Sequence, residues 1–259
     1  IIMRNTVKKI QLLKNKRPFS CLTAYSSSIA KIVDQHVDVI LVGDSVGNVV
    51  YGMKNTRSVT LEMMKNHGKA VFESSEKAFT IIDMPYNTYQ NSKQAYVNAK
   101  NLLKDTKCQS VKLEVNKNKV SIVSHLVKKN IPVVSHIGIL PQQFSDFNKI
   151  RIIGKTFRQK KQLIDLAYQL EDAGSCMILL ECIDKEIAKE ITKNLKIPTI
   201  GIGSSVHCDG QILVINDILN TDNTIKKPKF VKAYTNLSSS INKAIKKYVA
   251  DVKNRKFPK

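Results

Sequence analysis

Four carboxylates stand where short apolar runs stop. Asp44 follows Ile40-Leu41-Val42-Gly43, Asp83 follows Thr80-Ile81-Ile82, Glu114 follows Val111-Lys112-Leu113, and Glu181 follows Ile178-Leu179-Leu180. His136 closes a fifth run, Val133-Val134-Ser135. One acid at such a place reads as a helix cap or a loop salt bridge. Four brought to one place repel one another unless a cation or protons compensate. Oxygen ligands with no Cys or His among them suit Mg²⁺ or a similar hard ion, which keeps positions open for water or a chelating substrate. Lys112, two residues before Glu114, shares its face of a strand and could neutralise an anionic oxygen that forms during a reaction.

The elements that must position these groups alternate along the chain. Strand candidates are Phe19–Thr23, Val39–Val42, Ala78–Ile82, Ser110–Leu113, Pro132–Ser135, Cys176–Leu180, Pro198–Ile202 and Gln211–Ile215, each bounded by polar residues or Gly/Pro. Several are continuous apolar runs, the pattern of a strand buried on both faces. Helical periodicity fills the intervals. Ser92 is placed as an N-cap before Ala95, Ala99, Leu102 and Leu103; Leu163, Leu166, Ala167 and Leu170 form a stripe that ends at Gly174; Asp184 caps a helix running to about Leu195. The last stripe, Leu237, Ile241, Ala244, Ile245, Tyr248, Val249 and Val252, lies on one helix face. Eight strands alternating with helices predict a single (β/α)8 barrel over residues 1–259, with an open doubly wound sheet as the alternative. Thr6–Leu13 reads as an extra helix covering the barrel's bottom. In such a barrel the strand-end acids share the C-terminal mouth, where active sites of this fold are built.

Composition narrows the classes of function. Of 259 residues, 42% are hydrophobic, which is enough for a large core and excludes general disorder. Lys and Arg outnumber Asp and Glu by 42 to 21, a net charge of +21. The lysines are spread over polar helix positions, with no basic block and no aromatic-spaced basic segment, so no nucleic-acid partner is expected. No apolar run approaches the length of a membrane-spanning helix, and the first residues lack the apolar core of a secretory signal. Five cysteines, an odd number without a CxxC pair, indicate a reducing compartment, and the expected location is the cytoplasm. Gly201-Ile202-Gly203 reads as a tight turn more than a phosphate cradle, His207-Cys208 as a loop, and His36, His67 and His125 as members of helical patterns.

At these residues the chain resembles the ketopantoate hydroxymethyltransferase family of pantothenate biosynthesis. The matching segments include Thr23-Ala24-Tyr25, Leu41-Val42-Gly43-Asp44-Ser45-Val46-Gly47, Asp83-Met84-Pro85-Tyr86, Val111-Lys112-Leu113-Glu114 and His136-Ile137-Gly138. Pro141-Gln142, Leu180-Glu181-Cys182, Ile200-Gly201-Ile202-Gly203, Asp209-Gly210-Gln211-Ile212-Leu213-Val214 and Pro228-Lys229-Phe230-Val231-Lys232 follow in family order. The resemblance implies a TIM barrel of the phosphoenolpyruvate/pyruvate superfamily type. It implies that Asp44, Asp83 and Glu114 form the Mg²⁺ site, that Asp44, Ser45, Asp83, Lys112 and His136 contact a 2-oxoacid, and that Glu181 is the general base. The implied reaction moves a hydroxymethyl group from 5,10-methylenetetrahydrofolate to 3-methyl-2-oxobutanoate through an enolate, giving 2-dehydropantoate. The implied assembly is a homo-oligomer, a decamer in bacterial members.

The sequence departs from the family pattern at four places. Leu140 replaces the Thr before Pro-Gln, Gly203-Ser204-Ser205 replaces Gly-Ala-Gly, Arg57-Ser58 replaces Leu-Pro, and Gly68 replaces the Thr after His67. These are expected in loops over the mouth, where they bear on folate affinity more than on the reaction type. A superfamily lyase or mutase would carry a cysteine-bearing catalytic loop after Glu114, and no such cysteine is present there.

Overall fold

The computed structural model describes residues 3–144, 151–221 and 227–258. Eight strands, β1 (Phe19–Thr23), β2 (Val39–Val42), β3 (Phe79–Asp83), β4 (Ser110–Glu114), β5 (Val133–Gly138), β6 (Met177–Glu181), β7 (Thr199–Ile202) and β8 (Gly210–Leu213), close into a barrel in chain order. Successive strands from β1 to β8 pair in parallel. The helices are α1 (Val7–Gln11), α2 (Ser27–Val33), α3 (Val46–Val49), α4 (Leu61–Glu73), α5 (Ser92–Thr106), α6 (Val120–Lys128), α7 (Phe157–Asp172), α8 (Lys185–Asn194), α9 (Ile215–Leu219) and α10 (Leu237–Lys253). Single 3₁₀ turns at Thr56–Ser58, Lys117–Lys119 and Pro141–Gln143 break the loops. The chain divides into two compact units, Ile1–Ile212 and Leu213–Lys259.

The barrel, and not the doubly wound sheet, is the architecture. β2, β3 and β4 are buried at every residue, as continuous apolar runs require, while β1 and β8 expose Ser20 and Gln211. Cys21, Leu41, Ile81, Val134, Leu179, Ile200 and Ile212 belong to one core cluster. Its floor is α1. Thr6 caps this helix by accepting from the Lys9 amide, Ile10 joins the core beside Phe19, Val39 and Phe79, and Gln11 Nε2 donates to the Cys176 carbonyl. The extra N-terminal helix thus does cover the bottom.

Boundaries shift in an instructive direction. β3, β4, β5 and β6 all run one to three residues past their expected ends, through Asp83, Glu114, His136-Ile137-Gly138 and Glu181. The ladder pairs backbones and is blind to side-chain polarity, so the acids are the final strand residues. β8 ends earlier than expected, at Leu213, and Ile215 opens α9, a handover that a continuous apolar run conceals. Ser92 is the first residue of α5 and not its cap; the Asn91 carboxamide accepts from the Gln94 amide instead. Asp184 caps α8 as expected, and Gly174 follows α7 at φ +91°. In the second unit α10 forms over the expected stripe but buries none of its residues.

Candidate active site at the barrel mouth

The ends of β2 to β6, with the turns that follow them, deliver the polar groups of the mouth. The backbone turns at Gly43, where a Cβ would stand 2.9 Å from Ser45 Oγ, and the Asp44 amide then donates to Asp83 Oδ2 at 2.9 Å. Ser45 precedes α3 and shares a 2.7 Å hydrogen bond with the Tyr25 hydroxyl. Strand register sets Asp83 beside Lys112, Glu114 beside His136, and Gly138 beside Glu181. Gly138 is needed there: at φ +106° a Cβ would lie 2.2 Å from the Glu181 carbonyl oxygen.

Four of these side chains form a line across the mouth. Lys112 Nζ is 2.9 Å from Asp83 Oδ1 and 3.4 Å from His136 Nδ1, and His136 Nε2 is 3.2 Å from Glu181 Oε2. Asp83 Oδ1 and His136 Nε2 meet these partners at ion-pair distance without the alignment of a full hydrogen bond. Asp83, Glu114, His136 and Lys112 are all buried, and Glu181 is the more open end, with 15% of its side chain exposed.

Burial and crowding dominate the electrostatics. Burial raises the Asp83 carboxyl to about 7; Lys112 opposes this and Asp44 adds to it. Burial likewise pushes Glu114 well above the carboxylate range, again reinforced by Asp44. Asp44 is therefore the acid that both neighbours feel. Lys112 loses by burial but gains more from Asp83, Asp44 and Glu114, so its ammonium is held charged. Burial, then the Lys112 charge, lowers His136 against the pull of Glu181, leaving a neutral imidazole. With Lys112 donating toward Nδ1, the ring proton belongs on Nε2, facing the Glu181 carboxylate.

Sequence reasoning missed the hub of the site. Gln142, 1% exposed, donates its amide to Glu114 Oε1 at 2.9 Å and its Nε2 to Asp44 Oδ2 at 2.8 Å and the Met84 carbonyl at 3.0 Å. Its Oε1 accepts from the Tyr89 hydroxyl. The signal was present as Pro141-Gln142 just after β5, where proline starts the 3₁₀ turn, but nothing local says where the side chain goes. Tyr25 was missed for the same reason. Of the departures, Arg57, Leu140 and Ser205 fall in turns and loops as expected. Gly68 does not: it lies inside α4, where a Cβ would meet Ile82 and Thr106 at under 3 Å, so it serves helix packing.

Asp44, Asp83 and Glu114 offer the hard oxygen donors a divalent cation takes, and their excess negative charge in a buried site is what such an ion would balance. Asp83 Oδ1 is buried without an aligned donor, which leaves it a lone pair to give. Among the described residues no three His, Cys, Asp or Glu side chains stand close enough together to hold a metal ion as they are, so an ion here would have to draw the carboxylates in and take water or substrate for the rest of its shell. In type, though not in spacing, these donors suit Mg²⁺.

The fold is a TIM barrel, and the solved structures it resembles include a 2,3-dimethylmalate lyase of the PEP mutase/isocitrate lyase superfamily, matched with TM-score 0.59 at 12% identity. Among solved structures, a putative phosphonomutase from Burkholderia cenocepacia matches with TM-score 0.65 at 9% identity, over 96% of this chain and 98% of that one. Phosphonopyruvate hydrolase in complex with oxalate and Mg²⁺ matches with TM-score 0.62 at 11% identity, over 97% and 88%. The sequence goes further. The profile of the ketopantoate hydroxymethyltransferase family matches residues 4–259. The 3-methyl-2-oxobutanoate hydroxymethyltransferase of Pelagibacter ubique is 46% identical over 98% of this chain and 95% of its own length, and that of Anaplasma marginale is 43% identical over 96% and 89%. The chain belongs to the ketopantoate hydroxymethyltransferase family, and it is an enzyme of the transferase class.

Proposed function

We propose that the enzyme transfers a hydroxymethyl group from 5,10-methylenetetrahydrofolate to 3-methyl-2-oxobutanoate, giving 2-dehydropantoate. The observation that carries this reading is the line Asp83–Lys112–His136–Glu181, which joins a carboxylate cluster to a more open carboxylate across one mouth. Asp44 and Asp83, with Glu114 behind Asp44, would hold Mg²⁺, which supplies Lewis-acid polarisation of the C2 carbonyl.

The chain's own groups divide the remaining work. Ser45, whose hydroxyl is hydrogen-bonded to that of Tyr25, donates to the substrate carboxylate. Glu181 takes the C3 proton, and His136 Nε2 orients its carboxylate. The Lys112 ammonium stabilises the negative charge that leaves C3 and develops on the keto oxygen. C3 then forms a bond to the donor's methylene carbon, both carbon–nitrogen bonds of the donor break, water supplies the new hydroxyl and one proton, and Glu181 returns the proton it took, so that both nitrogens of tetrahydrofolate leave protonated. Gln142 holds Asp44 and Glu114 apart and in place.

We place the enzyme in the cytoplasm as a homo-oligomer. All five cysteines are unpaired and buried, no helix among the described residues is long and apolar enough to cross a membrane, and the apolar side chains of α10, among them Ile245 and Tyr248, are exposed.

The reaction is tested by following the C3 proton of 3-methyl-2-oxobutanoate by NMR in D₂O, with and without Mg²⁺ and tetrahydrofolate. Mg²⁺-dependent exchange that Glu181→Gln abolishes is expected. A folded protein that shows no exchange even with tetrahydrofolate present would overturn the reading, and exchange surviving in Glu181→Gln would remove Glu181 as the base.

A further inference from the structure

The rim of the mouth carries a cation that the chemistry inside does not use. Arg57 lies in the turn Thr56–Ser58, which Asn55 caps by accepting from the Arg57 amide at 3.0 Å. Its guanidinium carbon stands 4.4 Å from the centroid of the Tyr86 ring, and Nη2 donates to the Tyr86 hydroxyl at 2.7 Å. Tyr86 is three residues beyond Asp83, and the turn rests against Pro141–Gln143, whose Gln142 holds Asp44 and Glu114. Arg57 is thus anchored beside the site from two directions. It is nevertheless exposed, and among the described residues it makes no ion pair.

This differs from the many lysines on the surface, which are point charges on flexible stems. A guanidinium held at one edge by a tyrosine keeps its other donors in a fixed planar fork, the shape that binds a carboxylate through two hydrogen bonds. The 2-oxoacid has its own cation deeper in, Lys112. The one-carbon donor must bring its methylene inward from solvent, so the rest of the carrier lies over the rim, where Arg57 stands.

We propose that Arg57 binds the anionic tail of the donor, the glutamate carboxylates of the folate, and so gives this enzyme a preference for a carboxylated carrier. The inference rests on the reaction proposed above and names the part of the second substrate that the rim recognises. The net charge of +21 concentrates any anion near the surface, but only a fixed fork gives it a position.

Calorimetry on the full-length protein tests the site by binding alone, using tetrahydrofolate and a tetrahydropterin without the glutamate tail. Arg57→Leu is expected to weaken tetrahydrofolate roughly five- to tenfold and to leave the tail-less pterin unchanged, with Arg57→Lys between the two. Equal tetrahydrofolate affinity in wild type and Arg57→Leu would overturn the proposal. So would an equal loss for both ligands, which is the signature of a structural role, or no tetrahydrofolate binding by the wild type. C3 exchange in the wild type, run with Mg²⁺ and tetrahydrofolate, reports separately: its absence alongside Arg57-dependent tetrahydrofolate binding would sink the reaction and keep the site.

Discussion

The barrel buries a lysine–aspartate pair at each end, and the two are built differently. At the bottom, Lys14 Nζ is 2.8 Å from Asp209 Oδ2 and donates to the Thr192 carbonyl at 2.9 Å, while Asp209 also accepts from the Thr199 amide at 2.8 Å. One charge meets one charge, and the side chains are 5% and 8% exposed. At the mouth, Lys112 and Asp83 are as close, 2.9 Å, but two more carboxylates, Asp44 and Glu114, press on the same lysine. The pair at the bottom closes a structure. The pair at the mouth is left with excess negative charge, poor alignment at Asp83 Oδ1, and a carboxyl raised to about 7. Identical residue types at similar separation therefore serve opposite ends, and what separates them is the balance of the surrounding groups.

The comparison breaks first at the bottom. Lys14→Met removes the one cation that meets Asp209 among the described residues and leaves the carboxylate buried with neutral donors. The expected cost is about 3 to 5 kcal/mol of stability, read by chemical denaturation, with kcat little changed. A loss under about 1 kcal/mol would show that the floor pair is as dispensable as a surface ion pair.

The mouth should respond the other way. Lys112→Met removes the charge that stabilises the anion at the reacting centre and cuts the line to His136, so kcat is expected to fall on the order of 10²- to 10³-fold. Stability should suffer less than in Lys14→Met, because Asp83, already raised to about 7, can take a proton once its partner is gone. Steady-state rates and denaturation of the two variants side by side would decide it; equal stability losses would erase the distinction between the two ends.

How far the sequence discloses this contrast depends on which contacts are local. Strand-end acids are legible because apolar runs stop abruptly at Asp44, Asp83, Glu114 and Glu181, and a parallel barrel sends all strand ends to one face. The same reading could not find Lys14, which sits in a run, Lys14-Asn15-Lys16-Arg17, that looks like a solvated basic turn. Its partner Asp209 is 195 residues away. Gln142 hides similarly, since its contacts to Asp44 and Met84 span 98 and 58 residues. Arg57 is visible as a departure from a pattern, but its stacking on Tyr86 emerges only when two loops meet at the rim. The fold was legible from periodicity; pairings set by closure of the barrel were not.

The smallest effect concerns protons and metal. Asp83 has a folded-state value near 7, against about 4 in an unfolded chain, so between these values the folded, metal-free protein holds a proton that the unfolded chain has released. That contribution to stability is fully present below about pH 4 and is lost as the pH rises through about 7. Mg²⁺ bound at Asp83 must displace the same proton, and Glu114, also raised by burial, must give up its own, so apparent Mg²⁺ affinity should weaken at least about tenfold for each pH unit below 7. Thermal shifts with Mg²⁺ at pH 5, 6, 7 and 8 measure it. Stabilisation by Mg²⁺ should grow steeply up to pH 7, and a profile that is flat from pH 5 to 7 would mean that Asp83 does not exchange its proton for the ion. Lys14→Met provides the control, because the floor pair has no part in that competition: its melting curve should be displaced at every pH, with the slope of the Mg²⁺ effect unchanged.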